Sequence, residues 1–115
     1  MFDLALNEKT INAVKKEATS LASEVMRDDL VEVILYGSCA RGGYTEDSDI
    51  DIALITKCDR VEAKKYTDTL AGIATGLAMK YFAVVNFVCI PHEEYSEKKS
   101  WYEYYRNIYR EGEVL

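Results

Sequence analysis

The apolar positions of the chain fall first into a helical rhythm. Ile11, Val14, Ala18, Leu21 and Val25 recur at intervals of 3, 4, 3 and 4 residues, which draws one stripe along a helix. The spacing predicts a helix over residues 7–28, capped by Asn7, with Glu8 and Thr10 in its first turn. Lys15, Lys16, Glu17 and Glu24 lie off the stripe as solvated charges. A β-branched run over residues 31–36 then reads as a buried strand. Gly37 ends it, and Ala40-Arg41 forms at most a turn of helix before Gly42-Gly43 breaks it. Residues 50–55 read as a second strand. There Ile50, Ile52 and Leu54 face the core and Asp49, Asp51 and Ala53 face the other way.

A second long helix is predicted from a cap at Asp59 to about Lys80. Its stripe is Ala63, Tyr66, Leu70, Ile73 and Leu77, again at 3, 4, 3, 4. Gly72 and Gly76 stand four apart on it and predict close packing against a neighbour. Residues 82–90 read as a third strand ended by Pro91. Asn86 is the one amide at its centre and needs a partner there, since an unpaired buried amide costs about 1–3 kcal/mol. A last helix over residues 93–111, stopped by Gly112, carries two aromatic lines. Trp101, Tyr104 and Ile108 form one, and Tyr95, Tyr102, Tyr105 and Tyr109 the other. One line packs on the sheet, and the other is open to a partner or to a second copy in a homodimer. The order α-β-α-β-α-β-α predicts an α/β (α+β) class, a small mixed sheet packed with helices.

Composition narrows this picture. At 115 residues, with 49% hydrophobic and 30% charged, a single soluble domain over residues 1–115 is expected. The apolar runs are too short for a membrane span, and the opening Met1-Phe2-Asp3 lacks a signal peptide's regions, so the expected location is cytoplasmic. Cys39, Cys58 and Cys89 are odd in number, follow no metal spacing and predict free thiols. His92 is the only histidine, which leaves zinc chemistry short of ligands. A net charge of −6 weighs against a DNA or RNA partner, which calls for a basic face. It does not weigh against a nucleotide carried with magnesium.

The candidate chemistry gathers between the first two strands. If these are antiparallel neighbours, Gly37-Ser38 at the end of one lies beside Asp49 and Asp51 at the start of the other. Gly37 permits close backbone approach to a ligand, and Ser38 offers a hydroxyl and an N–H to phosphate oxygens. Arg41 adds a fork of donors. Asp49 and Asp51 are hard oxygen ligands suited to Mg²⁺. Cys39, inside the loop, reads as a small tolerated side chain.

Gly37-Ser38, ten intervening residues and Asp49-Ile50-Asp51 resemble the signature of the minimal nucleotidyltransferases of the DNA polymerase β superfamily. Ala40-Arg41-Gly42 and Ser48-Asp49-Ile50-Asp51-Ile52 are similar to that family as well. The resemblance implies Mg²⁺-dependent transfer of a nucleoside monophosphate, AMP from ATP, to an acceptor. Asp49 and Asp51 would hold the metals, and Gly37, Ser38 and Arg41 the phosphates. The family carries a third carboxylate where this chain has Asn86, which can ligate a metal through oxygen but takes no proton. The resemblance also implies a partner, since short members are often antitoxins that AMPylate small helical HEPN toxins. The alternative is a binding module of the same fold with weak or no catalysis, acting through complex formation with a HEPN protein.

Overall fold

The computed structural model describes residues 6–115, so the opening Met1-Phe2-Asp3 lies outside them. Helix α1 (Glu8–Met26) starts where Asn7 accepts the Thr10 N–H at 2.9 Å, as its capping side chain predicts. Its buried residues are Ile11, Val14, Ala18, Ala22 and Met26. The stripe thus turns from Leu21 and Val25, which stay half-buried. A straight helix of 3.6 residues per turn drifts off a 3, 4, 3, 4 spacing.

Strands β1 (Leu30–Tyr36) and β2 (Ile50–Thr56) pair antiparallel, with Tyr36 opposite Asp51. Strand β3 (Val85–Pro91) lies parallel to β2, with Asn86 opposite Asp51. A short β4 (Glu113–Val114), not legible in the sequence pattern, closes the outer edge of β1 antiparallel to it. The sheet is therefore mixed, in the order β3-β2-β1-β4.

Both faces of the sheet are covered. On one, Val33, Leu35, Ile50, Ile52, Leu54 and Val85 pack under α1 and under α4 (Thr67–Tyr81). On the other, Ile34, Ala53, Ile55 and Ile90 pack against Tyr95, Tyr105 and Ile108. These come from α5 (His92–Lys98) and α6 (Glu103–Glu111). The face that carries Asp49 and Asp51 is also core from Ala53 onward, and its open part is the end at the two aspartates.

The helical turn expected at Ala40-Arg41 is present as α2 (Ser38–Arg41), which Gly42 ends. Three sequence expectations change. The helix expected over 59–80 is broken. Asp59 caps α3 (Arg60–Ala63), a 3₁₀ turn spans Lys64–Tyr66, and α4 follows. The tighter turn accompanies a tertiary tether: the Tyr66 hydroxyl donates to the Asp29 carboxylate, and Lys65 lies 3.3 Å from it. Gly72 and Gly76 meet no neighbour, and a Cβ at either would find nothing within 4 Å. They lie on the solvent side of α4, because α4 turns Leu70 and Leu77 to the core. The third strand begins at Val85, because α4 runs on to Tyr81 and ends at Phe82 in a left-handed cap, φ +54°.

The last helix also breaks. The Tyr95 and Tyr105 rings meet edge to face with centroids 6.0 Å apart. Ten residues of straight helix span about 15 Å, so both rings reach the same core only if the chain turns between α5 and α6. Gly112 ends α6 as expected, in extended backbone with φ −73°. It is small because a Cβ there would stand 2.3 Å from the Ile108 carbonyl oxygen and 2.5 Å from the Ile34 Cγ2. This close approach lets β4 turn straight onto β1.

Candidate active site

The antiparallel pairing of β1 and β2 brings the end of one to the start of the other. Gly37 follows Tyr36 in an unusual conformation, φ +76° and ψ −159°, which favours a residue without a Cβ. Space imposes the same choice, since a Cβ on Gly37 would lie 2.7 Å from Asp51 Oδ2. The glycine therefore sets how near the Asp51 carboxylate stands to the corner. The Gly37 carbonyl accepts the N–H groups of Ala40 and Arg41 at 3.1 and 3.2 Å. No side chain caps α2, so the Ser38 and Cys39 N–H groups have no intrahelical acceptor.

Asp49 enters β2 from a turn in which Ser48 Oγ accepts the Thr45 N–H at 2.9 Å. The Cys39 thiol donates to the Asp49 carbonyl at 3.4 Å, tying α2 to the first aspartate. Burial pushes that thiol's pKa up, and the charges of Asp51 and Asp49 push it further. Cys39 thus ties two segments together and stays protonated. The sequence reading as a tolerated small residue missed this contact, which depends on how the loop folds back.

Strand parity places Asp49, Asp51 and Asn86 on the same face of the sheet. The Asn86 amide nitrogen donates to Asp49 Oδ2 at 3.0 Å and to Asp51 Oδ1 at 3.2 Å. One amide therefore spans both carboxylates. Asn86 is exposed and not buried in an apolar run, and these two bonds are the partners its amide was expected to need. Among the described residues no group of three or more His, Cys, Asp or Glu side chains stands close enough to share a metal. The local donor set is two carboxylates and an amide. Hard oxygens held near one point suit a small divalent cation, and a half-turn of the Asn86 amide would present its oxygen in place of its N–H₂.

Arg41 does not point freely from the loop. Its Nη1 donates to Glu111 Oε2 of α6 at 3.3 Å. The two border a cavity of about 200 Å³ together with Tyr36, Gly37, Tyr104, Asn107 and Ile108. The Tyr36 and Tyr104 hydroxyls lie 2.8 Å apart. Burial raises the Tyr36 pKa, and its bond to Tyr104 and the charge of Asp51 raise it further. Tyr104 was legible only as part of an aromatic line and Glu111 not at all as a site residue, because each reaches this corner only after α6 folds across β1. The larger cavity, about 390 Å³, lies between β3 and the α3–α4 segment. Val85, Asn86, Phe87 and Cys89 line it, and strand parity turns the Asn86 side chain to the face opposite that of the other three.

The molecule is thus a small α/β protein whose mixed sheet brings a glycine-serine corner beside two aspartates at a strand entrance. The chain belongs to the nucleotidyltransferase domain family, which it matches over residues 13–108. It is 36% identical over 110 residues to a provisionally named protein adenylyltransferase of Methanocaldococcus jannaschii, covering 96% of this chain and 99% of that relative. A second such protein of that organism is 34% identical over 71 residues, 62% of this chain and 70% of the relative. Among solved structures, a provisionally named nucleotidyltransferase from Sulfolobus solfataricus shares the fold. Its TM-score is 0.51 at 20% identity, over 92% of this chain and 82% of that one. A chain of the toxin–antitoxin MntA–HpeT mutant complex does so at TM-score 0.51 and 19% identity, over 95% and 72%. The class of activity is therefore nucleotidyl transfer.

Proposed function

We propose that this chain transfers AMP from ATP to a hydroxyl group on a protein acceptor, with Mg²⁺. The observation that carries the reading is the meeting of Asp49, Asp51 and Asn86 on one amide, beside the Gly37 corner. Asp49 and Asp51 would hold the metal, with Asn86 completing the donor set. Bound there, Mg²⁺ would neutralise the phosphates and the charge that develops during transfer. Gly37 and Ser38 would seat the terminal phosphates, with Arg41 releasing Glu111 to reach them. In the transfer, the acceptor oxygen bonds to the α-phosphorus, the bond to the β-phosphate bridging oxygen breaks, and pyrophosphate leaves. The hydroxyl proton passes to solvent, because an amide at position 86 cannot take it.

The protein acceptor follows the names of the M. jannaschii relatives. A small helical HEPN-type partner follows from the family resemblance of the sequence, and the toxin–antitoxin chain of like fold supports a toxin as that partner. Trp101, Tyr102, Tyr104 and Tyr109 stay exposed on the α5–α6 side and offer an apolar surface to such a partner or to a second copy. The three cysteines are free thiols, and we assign the protein to the reducing cytoplasm. No helix among the described residues is long and apolar enough to cross a membrane.

Two measurements test the reading. Calorimetric titration with ATP and GTP should show binding that needs Mg²⁺ and is lost in Asp49→Ala and Asp51→Ala. Incubation with labelled ATP, Mg²⁺ and a candidate HEPN protein should label that protein. A second reading, a binding module without turnover, is favoured by the amide at Asn86. It predicts a stable complex that is never labelled and that survives both aspartate substitutions. Nucleotide binding indifferent to Mg²⁺ and to both aspartates would exclude the proposed site.

A further inference from the structure

Strand β3 is an edge strand, with β2 on one side and no strand on the other among the described residues. The Ile50 N–H donates to the Val84 carbonyl at 2.8 Å, which fixes the alternation of the parallel ladder. Asn86, Val88 and Ile90 therefore direct their backbone groups to β2. Val85, Phe87 and Cys89 direct theirs outward. Pro91, the next outward position, has no N–H and ends the usable edge. The same three outward residues, with Asn86 between them, line the cavity of about 390 Å³, whose opposite wall is Ala63, Leu70, Ala71 and Ala74. Arg60 and Lys64 border it. Arg60 is engaged by Glu94 and by the Tyr105 hydroxyl, while no described residue pairs with the Lys64 ammonium.

An open row of backbone donors and acceptors is matched by an extended chain and by little else. We propose that the edge of β3 takes an extended segment of the acceptor protein as an added strand, and so presents the acceptor hydroxyl to the Asp49–Asp51–Asn86 face. The inference rests on the adenylyl-transfer reading and names how the acceptor is held. Successive side chains of the added strand point to opposite faces. The residue beside Asn86 stands on the aspartate face, one strand spacing of about 4.8 Å from it, and carries the hydroxyl. Its neighbour enters the cavity and is apolar. The residue two further on reaches Lys64 and is acidic. The occupant is thus an extended segment with a hydroxyl residue, an apolar residue next to it and an acidic residue third from it. Its hydroxyl oxygen bonds to the α-phosphorus of ATP, pyrophosphate leaves, and the proton goes to solvent.

The probe is the symmetric peptide acetyl-Glu-Thr-Val-Tyr-Val-Thr-Glu-amide, which fits a parallel or an antiparallel edge equally. Binding is read by fluorescence anisotropy without nucleotide, so the readout does not depend on the transfer reading. The peptide should bind. A version N-methylated at both valines and at the tyrosine, which blocks the N–H groups facing β3 in either strand direction, should bind at least tenfold more weakly. Ala71→Trp, which fills the cavity from exposed helix surface, should do the same. Lys64→Glu should weaken binding severalfold and more at low salt, and Asp51→Ala should leave it unchanged. Circular dichroism of each variant checks the fold, and N-methylation tests the edge with an unaltered protein. No binding at millimolar peptide, equal binding of the N-methylated form, or equal binding by Ala71→Trp overturns the proposal. With ATP and Mg²⁺, bound peptide that is never labelled would overturn presentation of the hydroxyl while leaving the docking edge. Loss of Mg²⁺–ATP binding itself would instead count against the adenylyl-transfer reading.

Discussion

Gly37 and Asp51 are fitted to one another. The glycine's φ of +76° and the 2.7 Å left for a Cβ before Asp51 Oδ2 penalise any side chain twice. Gly37→Ala should cost about 1–2 kcal/mol from backbone handedness alone and should push the Asp51 carboxylate aside. Thermal denaturation reads the first effect. A fall of at least tenfold in Mg²⁺–ATP affinity, by calorimetry, reads the second. Asn86 makes the complementary case. Asn86→Asp removes two hydrogen bonds to the aspartates and sets a third negative charge beside them. Without divalent cation the variant should melt below wild type, and added Mg²⁺ should raise its Tm more than it raises the wild type's. Equal Mg²⁺ responses would mean that position 86 does not face the cation.

At the scale of elements, the patterns held wherever a stripe or an alternation met the sheet. They failed where tertiary contact decided. The strands carrying Asp49, Asp51 and Asn86 were legible because β-branched runs bury on both faces. The breaks at Lys64–Tyr66 and between α5 and α6 were not, because the tether to Asp29 and the Tyr95–Tyr105 contact join residues far apart in sequence. The glycine pair on α4 misled because its spacing suits packing, whereas nothing packs there. Gly72→Ala and Gly76→Ala should therefore each stabilise the protein by about 0.5–1 kcal/mol, measured by urea denaturation. Two straps cross between elements. The Tyr81 hydroxyl and Lys80 hold Glu17 of α1, and the Tyr66 hydroxyl and Lys65 hold Asp29. Both carboxyl pKa values are lowered, chiefly by the tyrosine hydroxyls. A lowered folded value gives stability that is complete above the unfolded values of about 4 and is lost as pH falls through the folded ones. Tyr66→Phe and Tyr81→Phe should flatten the fall of Tm below about pH 4, and an unchanged acid limb would dismiss the straps.

The whole molecule spans 47 × 28 × 17 Å, with its candidate chemistry at one end of a sheet whose two faces are both spent on packing. Much of that plan could be read from the chain. The Gly37-Ser38 and Asp49-Ile50-Asp51 spacing pointed to the family before any fold was known, and the matched family agrees. The places of Glu111 and Tyr104 at this corner, and β4, could not be read, since they arrive at the site or sheet from the far end of the chain. A net charge of −6 offers no general attraction to ATP, so binding should depend on the metal. At a hundred times its Kd, Mg²⁺–ATP should raise stability by about 2.7 kcal/mol. ATP with a chelator should leave Tm unchanged, and Asp51→Asn should abolish the gain.

Strand β4 is only two residues long, yet Ile34 meets Val114 across about eighty residues of chain. Its attachment rests on that short ladder, a Leu115 N–H to Val33 bond of 2.8 Å, a Lys15–Glu113 ion pair of 2.9 Å and the Leu115 side chain against the core. So distant a closure forms late and opens early. Each opening bares the edge of β1 while β3 is bare already. For that moment the sheet has two free edges and can join end to end with others of its kind. The shelf life of a concentrated solution should then be governed by this two-residue latch, and substitutions that loosen it should bring on fibrils before any loss of helix content.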